Sequence, residues 1–152
     1  MIWIVLLNVL GWPLIHFAVS KLAFRRALSS FDPRSALFRE RSFEKGGRFY
    51  ESLFRVKSWK RMLPDGAALL GQGFRKKNLR SRKREYLEEF YLETCRGEWA
   101  HWVTLAAAPV FFLWNPLWAD LVMLTYALVA NLPCILVQRY NRLTLARLIA
   151  SA

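Results

Sequence analysis

The sequence predicts an all-α fold of the integral membrane kind: about three transmembrane helices, accompanied by basic amphipathic helices at the interface. Three observations carry that expectation. The 152 residues are 55% hydrophobic and 15% aromatic, with seven Trp, yet the formal net charge is +12. The two extremes are segregated. Of 23 Lys and Arg, all but Arg139, Arg142 and Arg147 lie between Lys21 and Arg96, and Asp120 is the only formal charge between Trp99 and Gln138. Apolar runs of spanning length beside polybasic blocks suit a chain that meets hydrocarbon at one end and anionic headgroups at the other. Nucleic acid, the other common partner of such charge, fits poorly with those runs. The length corresponds to a single domain. It divides into an anchor helix (1–24), a basic interfacial segment (25–92), a motif helix with a transmembrane hairpin (93–138) and a basic tail (139–152).

Ile2 to Ser20 contains no Lys, Arg, Asp or Glu, and as a helix it reaches about 28 Å, enough to span hydrocarbon. A cleaved signal peptide places its positive charges before the apolar run. Here they follow it, at Lys21, Arg25 and Arg26, so the segment reads as a retained anchor. Asn8, Gly11, Pro13 and His16 make it polar for a span, which predicts a helix facing protein rather than lipid. Ser30-Phe31-Asp32-Pro33 is a turn signature. Beyond it, Phe43, Tyr50, Leu53 and Phe54 recur at helical spacing, and the Gly46-Gly47 pair marks where that helix starts. Trp59 among Lys57, Lys60 and Arg61 suits a headgroup layer, and Pro64-Asp65-Gly66 is a turn.

Arg75 to Arg84 holds seven cations in ten residues and no acid, a solvated face for anionic lipid. Tyr86, Leu87, Phe90 and Tyr91 then form one apolar stripe, and nothing stronger than Gly97 interrupts a helix running from there past Trp99. Trp114-Asn115-Pro116-Leu117-Trp118 is a corner between two expected spans, 99–114 and 119–138. By the positive-inside rule, residues 21–98 and the C-terminus are cytoplasmic, with Met1 and the Asn115 turn outside. Cys95 and Cys134 are too few and too far apart for a disulfide framework or a thiolate metal site.

Chemistry concentrates in E-T-C-R-G-E-W-A-H-W, residues 93–102, which holds one of the two histidines. On a helix, Thr94, Glu98 and His101 fall within about 60° of one another. Glu98 is three residues before His101, so its carboxylate can reach the imidazole and hold one tautomer; Glu93 and Arg96 can pair in the same way. A carboxylate-oriented imidazole beside a hydroxyl is the arrangement for general-base catalysis on an alcohol. The same residues also fit polar side chains at headgroup level with no chemistry.

Four stretches, F-E-K-G-G-R-F-Y (43–50), W-K-R-M-L-P-D-G (59–66), E-T-C-R-G-E-W-A-H-W (93–102) and N-L-P-C-I-L-V-Q-R-Y-N-R (131–142), resemble the glycosyl-4,4'-diaponeurosporenoate acyltransferase family in that family's order. Its members are small bacterial membrane proteins of staphyloxanthin-type carotenoid biosynthesis. The resemblance implies a multi-pass protein of the bacterial cell membrane that moves a fatty acyl group from an acyl-CoA-type thioester to a sugar hydroxyl of a glycosylated carotenoid. The thioester is then a co-substrate, on CoA or a carrier protein, and no cofactor or metal is expected. His101 is the expected base and Glu98 its orienter, with Arg96 or Arg139 for the oxyanion. Glu93, Thr94, Asp65, Lys60, Arg139, Asn141 and Arg142 are the candidates for holding substrate. Direct attack is favoured over a thioester on Cys95, which points roughly 120° away from His101. Two other classes remain open. A non-catalytic scaffold or chaperone for a lipid or isoprenoid pathway would use the basic face alone. A di-iron enzyme would need a second E-x-x-H that this chain lacks.

Overall fold

The computed structural model describes residues 2–63 and 79–151, and among these there is no strand. Five α-helices follow in order: α1 (Ile2–Arg25), α2 (Arg48–Phe54), α3 (Val56–Trp59), α4 (Arg84–Ala106) and α5 (Leu117–Ala150). Single turns of 3-10 helix lie at Leu28–Ser30 and Lys60–Met62, with longer ones at Ser42–Gly47 and Ala108–Leu113. The expected turn forms at Asp32, whose Oδ1 accepts the Arg34 N–H at 2.9 Å. Gly46 and Gly47 both have positive φ, at 63° and 90°, and α2 begins at the next residue. That left-handed stretch lets the chain lie against α5: a Cβ on Gly46 would sit 3.0 Å from Arg147 Cδ.

Among the described residues two helices, α1 and α5, are long and apolar enough to cross a membrane, where the sequence predicted about three. The hairpin is the source of the difference. Its first arm stops being α-helical at Ala106, because Pro109 lacks an N–H for the next helical bond and the chain tightens into the 3-10 segment. Its second arm does not stop at Gln138. With no breaker after Pro133, α5 runs on for 34 residues, roughly 50 Å at 1.5 Å per residue, and absorbs the expected tail. The helix through residues 93–102 is continuous, as its lack of breakers predicted.

α4 and α5 pack antiparallel along most of α4. At one end Leu87 and Phe90 meet Leu145 and Ile149. At the other Trp12 of α1 stacks on Phe111, their centroids 4.7 Å apart, over Ala108 and Ala127. There Asn8 and Asn115 exchange amide hydrogen bonds of 2.9 and 3.0 Å, and Trp114 Nε1 also donates to Asn8 Oδ1. Asn8 and Gly11, which lies against the Phe111 ring, thus do face protein, whereas Pro13 is exposed. The rest of the helix does not: Leu6, Leu10, Leu14 and Phe17 are exposed, which corrects the expectation for the helix as a whole. Val122 and Val129 of α5 and Phe112 extend this exposed apolar belt.

Residues 28–63 form a cap round the opposite, charged end. Phe31 and Phe38 pack on Cys95 of α4, while Tyr50 and Val56 pack on Tyr140 and Leu143 of α5. Of the anticipated stripe, only Tyr50 enters that core; Phe43, Leu53 and Phe54 face outward.

Candidate active site

At the junction of cap, α4 and α5, four charged side chains are drawn together: Glu44 from the cap, Glu98 from α4, and Arg139 and Arg142 from α5. Glu98 and Glu44 are both 0% exposed, so each carboxylate has to be satisfied from within. Glu98 Oε1 accepts from Arg139 Nη1 at 2.9 Å, and its Oε2 accepts from Arg142 Nη1. Trp102 Nε1 adds a third donor at 3.2 Å. Arg139 reaches Glu44 through Nε at 2.7 Å and Nη2 at 3.3 Å. It also caps the carbonyls of Leu37 and Arg39 at 2.8 and 3.2 Å. All five guanidinium N–H groups of Arg139 therefore have protein acceptors. Two carboxylates and two guanidiniums balance, which is what lets them share a dry junction.

Tyr50 Oη and the Arg41 N–H complete the Glu44 shell. Burial alone would raise the Glu44 carboxyl, but hydrogen bonds from Arg139, Tyr50 and Arg41 overcome it and hold the group below the ordinary carboxylate range. Burial and the adjacent Glu44 push the Tyr50 phenol up, so it stays a donor.

This arrangement corrects the expected Glu98–His101 couple. Two guanidiniums out-compete one imidazole for a buried carboxylate, and Glu98 turns to them. His101 instead places Nδ1 3.0 Å from Asn131 Oδ1 on α5, and Asn131 Nδ2 donates to the Ala127 carbonyl at 2.9 Å. Neither guanidinium expected for the oxyanion is set for it. Arg139 has given its donors to the protein. Arg96 lies about 140° round α4 from His101. There it pairs with Glu93 at 2.8 Å, as expected, and stacks over Phe24 and Phe31.

Of the remaining candidates, Thr94 is buried and donates to the Tyr91 carbonyl at 2.6 Å, which takes its hydroxyl away from the imidazole. Lys60 Nζ donates to Asn141 Oδ1 at 3.0 Å and lies 5.1 Å above the Tyr140 ring. Burial, then the neighbouring Arg61 and Lys57, lower its pKa. Arg142 is 1% exposed; its Nε meets the Phe38 carbonyl at 3.2 Å and its Nη2 has no partner among the described residues. Asp65 lies outside the described residues. Burial pushes the Cys95 thiol up to about 11, so it is a poor source of thiolate. Glu44 and Asn131 were not singled out from the sequence, and Tyr50 only as part of an apolar stripe, although each falls inside one of the four motif stretches.

The family model for glycosyl-4,4'-diaponeurosporenoate acyltransferase matches residues 33–151. Proteins of that name from Staphylococcus aureus strains bovine RF122 / ET3-1 and USA300 are each 30% identical over 138 residues, 91% of this chain and 83% of theirs. No solved structure matches the chain.

Because Glu44 titrates lower in the folded protein than in an unfolded chain, its pairing contributes stability at neutral pH that is lost as pH falls through the lowered folded value. The thermal midpoint in detergent should therefore drop as pH is taken below about 4, the ordinary carboxylate range. Glu44→Gln should lower the midpoint at neutral pH and shrink that acid loss. Identical acid limbs in both proteins would show that Glu44 is not held as a paired carboxylate.

Proposed function

We propose, since this chain belongs to the glycosyl-4,4'-diaponeurosporenoate acyltransferase family and is an acyltransferase on that ground, that it moves a fatty acyl group from an acyl-CoA-type or carrier-protein thioester to a sugar hydroxyl of a glycosylated carotenoid or related glycolipid. The observation that carries this reading is the position of His101. It sits where the buried charge junction ends and the apolar belt begins, one turn of α4 beyond Glu98. An acceptor with a polar sugar on an apolar polyene would need its hydroxyl at such a border.

In the proposed reaction, His101 takes the proton from the sugar hydroxyl as that oxygen attacks the thioester carbonyl. The tetrahedral adduct collapses, the C–S bond breaks, and the thiolate recovers the proton from the imidazolium. The products are an ester and a free thiol. Glu98, Arg139, Arg142 and Glu44 position the helix that carries His101. Lys60 and the exposed Arg61 would receive the phosphorylated part of a CoA-type donor, whose negative charge would offset the burial, and the Arg61 and Lys57 repulsion, that lower the Lys60 pKa. The raised Cys95 thiol supports direct attack over an acyl-enzyme.

His101→Ala should cut acyl transfer about 100-fold or more with the protein still in the membrane, the usual scale for losing a general base. Cys95→Ser should retain transfer. The assay is acyl transfer in membranes carrying matched amounts of each variant. Near-normal transfer in His101→Ala favours the scaffold reading; complete loss in folded Cys95→Ser favours a thioester intermediate.

The orientation proposed in a bacterial cell membrane puts the cap, Arg80 and the C-terminus in the cytoplasm and Leu113 and the Asn115 corner outside, a reading the placement of the cations supports. An impermeant thiol reagent applied outside should label Leu113→Cys and spare Arg80→Cys. Labelling of both from one side would overturn this orientation.

A further inference from the structure

With both Glu98 oxygens held by arginines, what orients His101 has to be found elsewhere, and we propose that Asn131 is its positioning residue, fixing the neutral imidazole with its proton on Nδ1 and its lone pair on Nε2. This rests on the reading of His101 as the base. Asn131 is 0% exposed, so its amide cannot turn to water. The Ala127 carbonyl, 2.9 Å away, can only accept, so the Asn131 end facing it has to be the NH2 group. Its oxygen is thereby aimed at His101, 3.0 Å from Nδ1. An amide oxygen also can only accept, so a neutral His101 bonds to it with the hydrogen on Nδ1. The tautomer therefore follows from one backbone carbonyl of α5, relayed through one rigid amide.

This device differs in kind from a carboxylate orienter. A carboxylate at Nδ1 stabilises imidazolium and adds a charge to be buried; an amide sets the tautomer and adds none. At the edge of the apolar belt, the uncharged device avoids the cost of desolvating another ion. It also links the base to the α4–α5 register, because His101 and Asn131 stand on facing helices. A sliding of one helix by a turn would remove the acceptor from Nδ1.

The test is nitrogen-15 NMR of histidine-labelled protein in detergent at a pH where the imidazoles are neutral. Only two histidines contribute, and the signals absent from His16→Gln belong to His16. The proposal expects the His101 Nδ1 to give the protonated-type signal and Nε2 the lone-pair type. The reverse pattern in the unmutated protein overturns it. Asn131→Leu should shift His101 toward the Nε2–H tautomer and lower kcat about tenfold or more, with KM little changed, the scale of a misplaced catalytic group. Asn131→Asp keeps an oxygen acceptor and should keep the proton on Nδ1. An Nδ1–H tautomer that survives in Asn131→Leu would also overturn the proposal. The tautomer is read without substrate, so it stands or falls separately from the activity of His101→Ala.

Discussion

A carboxylate with no access to water has to be neutralised where it lies, and Glu98 is neutralised by reaching across to α5. Its two oxygens hold Arg139 and Arg142, one turn apart on that helix, and so fix both the spacing and the rotation of α4 against α5. Taking such ions out of water costs several kcal/mol each, which is recovered only when the partners and their remaining hydrogen bonds are all in place. Arg139 extends the same requirement to the cap, since its other donors bind Glu44 and two cap carbonyls. The 28–63 segment, built of short helical pieces, is thereby tied to the helix pair by a guanidinium as much as by its apolar contacts.

That division of labour separates structure from chemistry along α4. From Glu93 to Glu98 the polar groups are buried and paired within the protein. One turn later, His101 is oriented by a neutral amide, beside a surface built of exposed aliphatic and aromatic side chains. A transferase acting on an amphiphile needs this change of environment within a few ångströms. In the proposed reaction the sugar hydroxyl reaches a base while the apolar body of the same molecule lies along the exposed belt.

Features governed by neighbours in the chain were legible in the sequence. The uninterrupted α4, the corner at Asn115, the turn at Asp32, the start of α2 after Gly47 and the Glu93–Arg96 pair all follow from residues within a few positions of one another. The Glu98 partners were not legible, because they lie 41 and 44 residues away and outweigh the nearer imidazole only once α5 is in place. The same limit explains Glu44, whose partner Arg139 lies 95 residues on, and Asn131, whose role depends on facing His101. The third span failed for a local reason: Pro109 falls inside the expected 99–114 span and ends the α-helix there. Glu44, Asn131, Arg139 and Arg142 all lie inside the motif stretches, so a buried partner for every acid in those stretches was the signal to look for.

The central claim is that Glu98 holds the architecture while His101 carries out the chemistry. The most direct test is to replace the Glu98–Arg142 pair with apolar side chains, comparing Glu98→Leu, Arg142→Met and the double variant for thermal stability and acyl transfer. Each single change leaves a buried charge uncompensated and should cost about 3–5 kcal/mol. The double variant leaves Glu44 and Arg139 as a balanced pair, so it should recover most of the stability and, with it, most of the acyl transfer. A double variant that is stable yet inactive would contradict the account, because it would place Glu98 or Arg142 in the reaction itself.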